Sequence, residues 1–249
     1  LSTAKQIYGK KGDIGSIMVE HPRLGIESKF KLSVKSGLNI EPGHAFNLIE
    51  ETAKNSLTLG YGMSYNLAPI INLSQTFLDV EFAFGLLNAK LTDEAIDDRV
   101  IPYTIGLGVG LSKKFWFGRM NFPVGLLYNI EGLTFHSKEE ELSFSSSGGK
   151  LNTGLEYMIN ANTIISFGIE YTVIPEISSV TFENEDEEEI DLSKELGDDF
   201  LDFWNKGGVG YFGNDPLSLS GLSIRFGIDR SLGGTEGNIF GSLDRFKKY

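Results

Sequence analysis

Eight segments of the chain alternate large apolar residues with small or polar residues, and this pattern restricts the folds that the chain can adopt. In the clearest segment, 56–67, leucine, tyrosine and methionine occupy the odd positions, whereas serine, threonine, glycine and asparagine occupy the even positions. A side-chain period of two residues predicts a β-strand with one apolar face and one polar face. The eight predicted strands lie at 29–35, 56–67, 78–86, 101–112, 119–131, 150–159, 165–173 and 222–229.

The crowding of the two faces decides which of them points inward. An eight-stranded barrel has an interior just wide enough for its side chains, so the bulky apolar face would overpack it. The opposite face is rich in glycine and serine and fits a narrow interior, whereas the apolar face then forms an outer belt that requires lipid. Five or six outward residues per strand span roughly 33 Å, and a tilt of about 40° brings this length near the ~25 Å apolar band of membrane barrels. The pattern predicts an all-β, closed, antiparallel, up-and-down transmembrane β-barrel of eight strands.

With its repeat of two, its glycine-rich inner positions and its strand number, the chain resembles the small outer-membrane β-barrels of diderm bacteria, of the OmpA, OmpX and OmpW type. The resemblance covers residues from about 27 to 230 and includes no short signature motif. It implies a location in the outer membrane and a bilayer of lipopolysaccharide or phospholipid as the immediate partner. It implies little about activity.

The connections between the predicted strands alternate between short and long, which predicts the orientation of the barrel. Long connections at 39–55, 88–100, 134–148 and 174–220 would lie outside the cell, because barrels of this class have short periplasmic turns and long outer loops. The predicted organisation is an N-terminal periplasmic extension at 1–24, the barrel at 25–231 with an acidic extracellular loop at 174–220, and a C-terminal periplasmic extension at 232–249. A ten-stranded alternative would recruit segments 13–20 and 238–246 as further strands.

Twelve charged residues fall on the predicted inner face. Isolated charges in a narrow interior are costly, so we expect them to pair. The favoured interpretation is a structural ion-pair network that plugs the barrel, and the alternative is a narrow ion path lined by the same side chains. The twelve residues are Lys29, Lys31, Lys35, Asp79, Glu81, Arg119, Glu131, Lys150, Glu156, Glu170, Arg225 and Asp229.

The predicted loop at 174–220 combines a dense acidic run with a helical apolar stripe. Segment 183–202 contains eleven Asp or Glu residues against Lys194, a net charge of −10 within a chain total of −12. The acidic run lacks the spacing and glycine of a calcium-binding loop, so we expect it to be solvated. Apolar residues at helical spacing predict an amphipathic helix over 192–205, which either packs on the barrel mouth or docks a partner. The candidate docking residues are Leu196, Phe200, Phe203 and Trp204.

Catalytic chemistry has few candidates in this sequence. The chain contains no cysteine, and its three histidines are His21, His44 and His136. His136 is followed by Ser137 and lies near Glu139 and Glu140, which is the one neighbourhood that offers a base and a nucleophile together. An ordinary loop histidine is the favoured interpretation, and we expect no enzymatic activity, metal or other cofactor. The sequence shows no basic face, so nucleic acid is not an expected partner.

The function predicted from the sequence is therefore that of a structural or interaction protein. It would serve as a membrane anchor or accessory subunit with a plugged lumen, and it would contact a protein partner through loop 174–220 or through its periplasmic ends. The alternative is a small outer-membrane channel for ions or apolar solutes, as the OmpW-like resemblance allows. A lesser alternative is a lipid A-modifying enzyme centred on His136.

Overall fold

The computed structural model describes residues 26–67, 75–117, 119–138, 140–160, 163–183, 189–206 and 215–231. The predicted terminal extensions at 1–24 and 232–249 lie outside the described residues. The same holds for the two segments that the ten-stranded alternative would add.

Eight strands close into an antiparallel barrel, which confirms the predicted fold class. Sequential strands pair from β1 to β7, and β10 closes the ring by pairing with both β7 and β1. Two further strands, β8 and β9, extend the wall beyond β6. The ten strands are β1 (Ile26–Ile40), β2 (Ala53–Asn66), β3 (Thr76–Leu87), β4 (Ile101–Phe117), β5 (Met120–His136), β6 (Glu141–Asn160), β7 (Thr163–Val173), β8 (Ile177–Glu183), β9 (Glu189–Asp191) and β10 (Gly221–Ser231).

The two faces of the barrel wall are oriented as predicted. The outward side chains of Leu59, Leu107 and Phe226 are 61%, 53% and 61% exposed, respectively, and leucine, isoleucine, valine, phenylalanine and tyrosine cover the rest of the outer surface. The alternate positions point inward, and most of them are small, polar or charged. Apart from the apolar core described below, the buried apolar exceptions within the barrel strands are Phe77, Leu127, Met158 and Ile164. Such a continuous apolar exterior is far larger than the patches that soluble monomers expose, so it needs an apolar solvent.

The helices in the described part of the chain are short, and none of them is long and apolar enough to cross a membrane. A 3-10 helix spans Pro42–Ala45, and α1 spans Asp93–Asp97. The helix predicted over 192–205 is observed as α2 (Leu192–Leu196) and α3 (Asp198–Lys206). The break falls at Gly197, where φ is +78°, a conformation that side chains with a Cβ atom rarely adopt.

Several barrel strands are longer than a bilayer requires. β4 and β5 have 17 residues each, which corresponds to roughly 56 Å along the strand and about 43 Å along the barrel axis at a 40° tilt. The apolar band of outer-membrane barrels is only ~25 Å tall. The wall therefore continues beyond the membrane at the end that carries the long connections, hereafter the loop end; the opposite end is the turn end.

The predicted long loop at 134–148 is mostly strand, which corrects the sequence-based interpretation. β5 continues to His136 and β6 begins at Glu141, so the two strands form a hairpin with a short connection. The serine-rich segment 143–147 belongs to the region that was predicted as loop. It is held in a strand by pairing with β5 on one side and with β8 on the other.

A β-bulge in β1 reverses which residues face inward at the loop end. Lys31, Ser33 and Lys35 point inward, whereas after the bulge the inward residues are Leu38 and Ile40. Between the pairs Ser36–Asn55 and Ile40–Ala53, β1 advances four residues while β2 advances two, which interrupts the alternation. Gly37 lies in this stretch with a φ of +97°, a conformation that favours glycine. The shift brings two apolar side chains into the barrel mouth.

An apolar core fills the barrel at the loop end. It is built from inward residues of the projecting strands and from the connections above them, so that the loops pack as a folded cap. We call this set of residues the cap core: Leu38, Ile40, Ala45, Ile49, Ala53, Leu87, Ala95, Val100, Leu133, Phe135, Leu142, Phe144, Ile174, Ile177, Val180, Trp204, Leu217 and Leu219.

Candidate functional site

The interior at membrane level contains a connected group of charges that we call the central network. The Glu81 carboxylate forms ion pairs with the ammonium groups of Lys31, at 2.6 Å, and of Lys150. Glu170 pairs with Lys31 at 3.2 Å and with Arg225 at 2.8 Å. These five side chains come from strands β1, β3, β6, β7 and β10, so the network ties together strands that are far apart in the sequence. Each carboxylate contacts two cations, which compensates for the loss of hydration.

Further ion pairs lie on either side of the central network. Toward the turn end, the Lys29 ammonium lies 3.2 Å from Asp79. Toward the loop end, the Lys35 ammonium lies 2.5 Å from Glu131, whose other oxygen accepts a hydrogen bond from Asn129 at 3.2 Å. The ion pairs thus follow the barrel axis in layers.

A third cluster near the turn end contains two residues that the sequence analysis missed. Lys114 lies 2.8 Å from Glu27 and 3.0 Å from Glu156, and all three side chains are fully buried. Lys114 and Glu27 lie beyond the predicted ends of their strands. Continuing the alternation of β4 past Ser112 and that of β1 before Lys29 would have placed both residues on the inner face.

Two predicted inner residues are not brought into an ion pair among the described residues. Arg119 is exposed in the turn between β4 and β5, because it precedes the first residue of β5, and this corrects its predicted position. Asp229 is buried at 1% exposure, and its Oδ2 atom has no hydrogen-bond partner among the described residues. The other ten predicted residues all lie inside the barrel in the contacts given above, with Glu156 also accepting a hydrogen bond from Asn121 at 2.5 Å.

The space left between these side chains is small. One interior cavity, lined by Lys31, Lys35, Glu81 and Lys150 among others, has a volume of about 40 Å³. A second cavity, nearer the turn end and lined by Lys29 and Asp79 among others, has about 10 Å³. A single buried water needs roughly 10–15 Å³ on this measure, so these cavities hold a few waters at most.

Trp204 of α3 lies at the centre of the cap core, so for this residue the structure agrees with the alternative in which the helix packs on the barrel mouth, and Trp204 is not an exposed docking residue. It is 1% exposed, and its ring packs against those of Phe144, His44, Phe200 and Phe46 at centroid distances of 5.1, 5.8, 5.9 and 6.0 Å. The largest side chain of the helix points toward the barrel, because removing an indole ring from water is strongly favourable.

The other three candidate docking residues have different surroundings. Leu196 of α2 is 58% exposed. Phe200 is half-buried against the cap core. The side chain of Phe203 lies outside the described part of the structure. Leu196 is therefore the described member of the predicted stripe that remains available at the surface.

Hydrogen bonds fasten α3 to the barrel wall. The amide side chain of Asn205 accepts from the backbone nitrogen of Ile177 at 2.6 Å and donates to the Ile177 carbonyl at 3.0 Å. The backbone nitrogen of Leu217 donates to the carbonyl of Trp204 at 2.9 Å. The cap is therefore held to β8 and to the segment before β10 by directional bonds as well as by apolar packing.

His44 is a buried titratable group of the cap. Its Nδ1 accepts a hydrogen bond from the backbone nitrogen of Glu41 at 3.0 Å, so the ring is neutral with its proton on Nε2. Burial lowers the pKa of His44, against the opposing effects of Glu41 and of Asp215. His44 therefore contributes a hydrogen bond and a ring contact to the cap.

His136 lies at the tip of the β5–β6 hairpin. Its Nδ1 is 3.0 Å from Glu141 Oε2, and the ring is exposed. Ser137 Oγ donates to the Glu140 carbonyl at 3.0 Å and accepts from the Glu140 backbone nitrogen at 2.9 Å, so its hydroxyl stabilises the turn. Glu139 lies outside the described residues. Across the described ranges, no group of three or more acidic, histidine or cysteine side chains is placed to hold a metal ion.

Comparison with known proteins identifies the fold and nothing finer. No family model and no curated protein matches the chain. Among solved structures, Neisserial surface protein A (NspA) aligns with a TM-score of 0.53 at 10% identity, over 84% of this chain and 97% of its own. The outer membrane protein OprG from Pseudomonas aeruginosa aligns with a TM-score of 0.50 at 9% identity, over 87% of this chain and 100% of its own.

The fold is therefore that of the small outer-membrane β-barrels of bacteria, as the sequence resemblance predicted. The apolar outer belt gives this chain the surface that such a barrel presents to lipid. At these identities the likeness describes architecture, and the activity of the chain has to be argued from its own residues.

Proposed function

We propose that this protein is a closed outer-membrane β-barrel that acts as a structural or interaction protein, an anchor or accessory subunit with a folded cap. The proposal is based on one observation: side chains obstruct the barrel interior at two levels along the barrel axis. The central network leaves a cavity of only about 40 Å³ at membrane level, and buried apolar side chains of the cap core lie across the barrel above it. Steady conduction of hydrated ions requires a continuous water-filled path. The central network and the cap core each interrupt such a path.

The proposed orientation places the cap outside the cell and both chain termini in the periplasm. Its support is the position of the long connections, which gather at one end of the barrel, as in outer-membrane barrels generally. In this arrangement α2 and α3, with the exposed Leu196, lie on the outer side of the membrane. Segments 1–24 and 232–249 would be available to periplasmic partners.

The absence of cysteine from the chain permits a direct test of the orientation. Asp97→Cys lies on the exposed surface of α1 at the loop end, and Arg119→Cys lies at the turn end. On intact cells, a membrane-impermeant maleimide should label Asp97→Cys and should label Arg119→Cys only after the outer membrane is permeabilised. The reverse order of labelling would overturn the proposed orientation.

Conductance in planar bilayers tests the proposed closure. The full chain, inserted as a folded barrel, should show no steady openings. Regular ion-selective openings that disappear when Lys31→Ala and Glu81→Ala are combined would establish the channel alternative instead. The lesser alternative, a lipid-modifying enzyme, would be established by a change in the acyl pattern of lipid A that depends on His136, measured by mass spectrometry of cells with and without the protein.

A further inference from the structure

A cavity of about 500 Å³ lies in the mouth of the barrel, above the charged interior, and we call it the mouth pocket. Its walls come from the turn after the 3-10 helix, from α1, from the β5–β6 hairpin and from the β8–α2 region. The pocket is lined by Phe46, Leu48, Glu94, Asp98, Val100, Phe135, Ser137, Glu140, Leu142, Phe182 and Leu192. Neither the closure of the barrel nor the proposed structural role requires this space.

The floor of the mouth pocket is apolar and closed. Val100, Phe135 and Leu142 are buried members of the cap core, so they separate the pocket from the charged interior. Phe46 is 47% exposed and lies at the entrance, where its ring also contacts Trp204. The pocket therefore runs from the surface down to the core and ends there, which suits a bound molecule and opposes passage through the barrel.

The volume and lining of the mouth pocket fit a small organic molecule. Ligand sites in proteins typically measure roughly 300–1,000 Å³ and combine mainly apolar walls with a few polar groups that fix orientation. Seven of the eleven lining residues are leucine, valine or phenylalanine. The three phenylalanines offer ring faces and edges to a flat or branched apolar group.

The polar groups at the rim select for positive charge. Glu94, Asp98 and Glu140 are exposed carboxylates, and the described lining residues include no lysine, arginine or histidine. Glu94 and Asp98 are four residues apart, on one face of α1 and the residue that caps it, so both side chains project toward the same opening. An ammonium group at the rim would be attracted by these carboxylates and by nearby aromatic rings, whereas a carboxylate would be repelled.

We propose that the mouth pocket binds a small hydrophobic cation, a molecule with an aromatic or branched apolar body and one ammonium group. The apolar body lies against Phe46, Phe135 and Phe182, and the ammonium group lies between the carboxylates of Glu94, Asp98 and Glu140. The molecule is held at the outer mouth of a closed barrel. This binding activity goes beyond the proposed structural role.

Calorimetric titration of the full chain in lipid nanodiscs tests the proposal with three probes of one shape. The probes are 2-naphthylmethylammonium, the neutral 2-naphthylmethanol and the anionic 2-naphthoate, each also titrated into empty nanodiscs. The ammonium probe should bind saturably with one site, the alcohol more weakly and the carboxylate most weakly. Binding of the carboxylate as tight as that of the ammonium would overturn the proposal, and so would the absence of saturable ammonium binding.

Substitutions separate the contribution of the rim from that of the walls. Glu94→Gln combined with Asp98→Asn should weaken the ammonium probe about fivefold to tenfold, because exposed ion pairs contribute little each, and should leave the alcohol unchanged. The matched control is Asp93→Asn with Asp97→Asn, which removes the same charge from α1 at residues outside the pocket lining. An equal loss of affinity for the ammonium probe in both double variants would overturn the assignment of Glu94 and Asp98 as the residues that bind the ammonium group.

A pocket-filling variant provides the second, independent readout. Leu48→Trp adds volume at a half-buried wall position and should abolish binding of both the ammonium and the alcohol probe. Gel electrophoresis of unheated and heated samples would verify that the variant is folded, because a folded barrel changes its mobility when heating unfolds it. Retained binding in the folded Leu48→Trp variant would show that the probes bind elsewhere, and the proposal would then be wrong.

Discussion

The barrel has two interiors of opposite chemistry along one axis. At membrane level the inward side chains are mostly charged, polar or small, with Leu127 as a buried apolar exception, whereas at the loop end they are mostly apolar. β5 contains both: Glu131 points into the charged interior, and Leu133 and Phe135 point into the cap core. The surrounding solvent accounts for the difference. In lipid the outer face takes the apolar residues, but beyond the lipid the wall must bury an apolar core like that of a soluble protein.

The two interiors should also respond differently to substitution. In the charged interior, removing one partner leaves an uncompensated charge in a site of low polarity, which costs more than the pair itself contributes. In the cap core, removing a side chain costs transfer free energy and leaves a cavity. The predictions below use this difference, from the largest expected effect to the smallest.

The largest effect is expected from Glu81→Ala. The substitution leaves the ammonium groups of Lys31 and Lys150 without their shared carboxylate, so the free energy of unfolding should fall by about 3–5 kcal/mol. Urea unfolding in lipid vesicles measures this change. Glu50→Ala removes a carboxylate from the exposed pair with Lys90 and should cost at most about 1 kcal/mol. Equal costs at the two positions would show that the interior is as hydrated as the surface.

Trp204→Ala should destabilise the cap by about 3 kcal/mol or more, because an indole ring at the centre of the cap core is lost. The barrel at membrane level should stay folded. Hydrogen exchange of the Leu217 amide, which donates to the Trp204 carbonyl, reports on the cap, and amides of β2 report on the barrel. Leu196→Ala, at an exposed position, is the control. A loss of protection in β2 as large as that at Leu217 would mean that the two regions unfold as one unit.

Neighbouring positions on β4 test the facing of the wall. Leu107→Asp places a carboxylate in lipid and should cost about 2 kcal/mol or prevent insertion. Gly106→Asp points into the cavity lined by Lys31, Lys35 and Lys150, where a new Cβ would meet its nearest atom at an ordinary contact distance of 3.5 Å. Folding yield into vesicles should therefore fall sharply for Leu107→Asp alone. Equal tolerance at both positions would contradict the assigned facing.

The smallest effect concerns the pH dependence of the cap. Burial lowers the pKa of His44 below its ordinary value of 6.5, so in mildly acidic solution the unfolded cap takes up a proton that the folded cap does not. The stability of the cap should decrease as the pH falls from about 7 through 6.5 and should level off below the folded pKa. Unfolding followed by Trp204 fluorescence in a Trp116→Phe background measures this change. His44→Asn keeps an acceptor side chain and should remove the pH dependence in that range; an unchanged profile would assign it to other groups.

The sequence predicted the features that lipid imposes and missed those that depend on tertiary packing. The alternation in segment 101–112 requires a strand with one face toward lipid. The same pattern in the seven other segments gave the number of strands, their facing and the closed barrel. Strand ends carry no such constraint, which is why Arg119 was placed inside and Lys114 and Glu27 were missed. Which charges would meet could not be predicted, because partners such as Lys31 and Glu170 are joined only by barrel closure.

The cap was the least predictable region, because its residues have no common period. Ile49, Val100 and Leu217 come from three different connections and meet only when the loops fold over the mouth. The helix over 192–205 was predicted from its apolar stripe, but the direction in which Trp204 points depends on the cavity it fills. The mouth pocket has no sequence signature for the same reason, since its lining combines residues from several connections and strands.

The most direct test of closure at two levels is a comparison of single-channel conductance among four folded forms of the chain. One form is unchanged, one combines Lys31→Ala with Glu81→Ala, one combines Phe144→Ala with Trp204→Ala, and one contains all four substitutions. We predict that the first three forms stay closed and that only the fourth opens steadily, because each interior closes the barrel by itself. Steady openings in the unchanged chain, or in either double variant, would contradict the account.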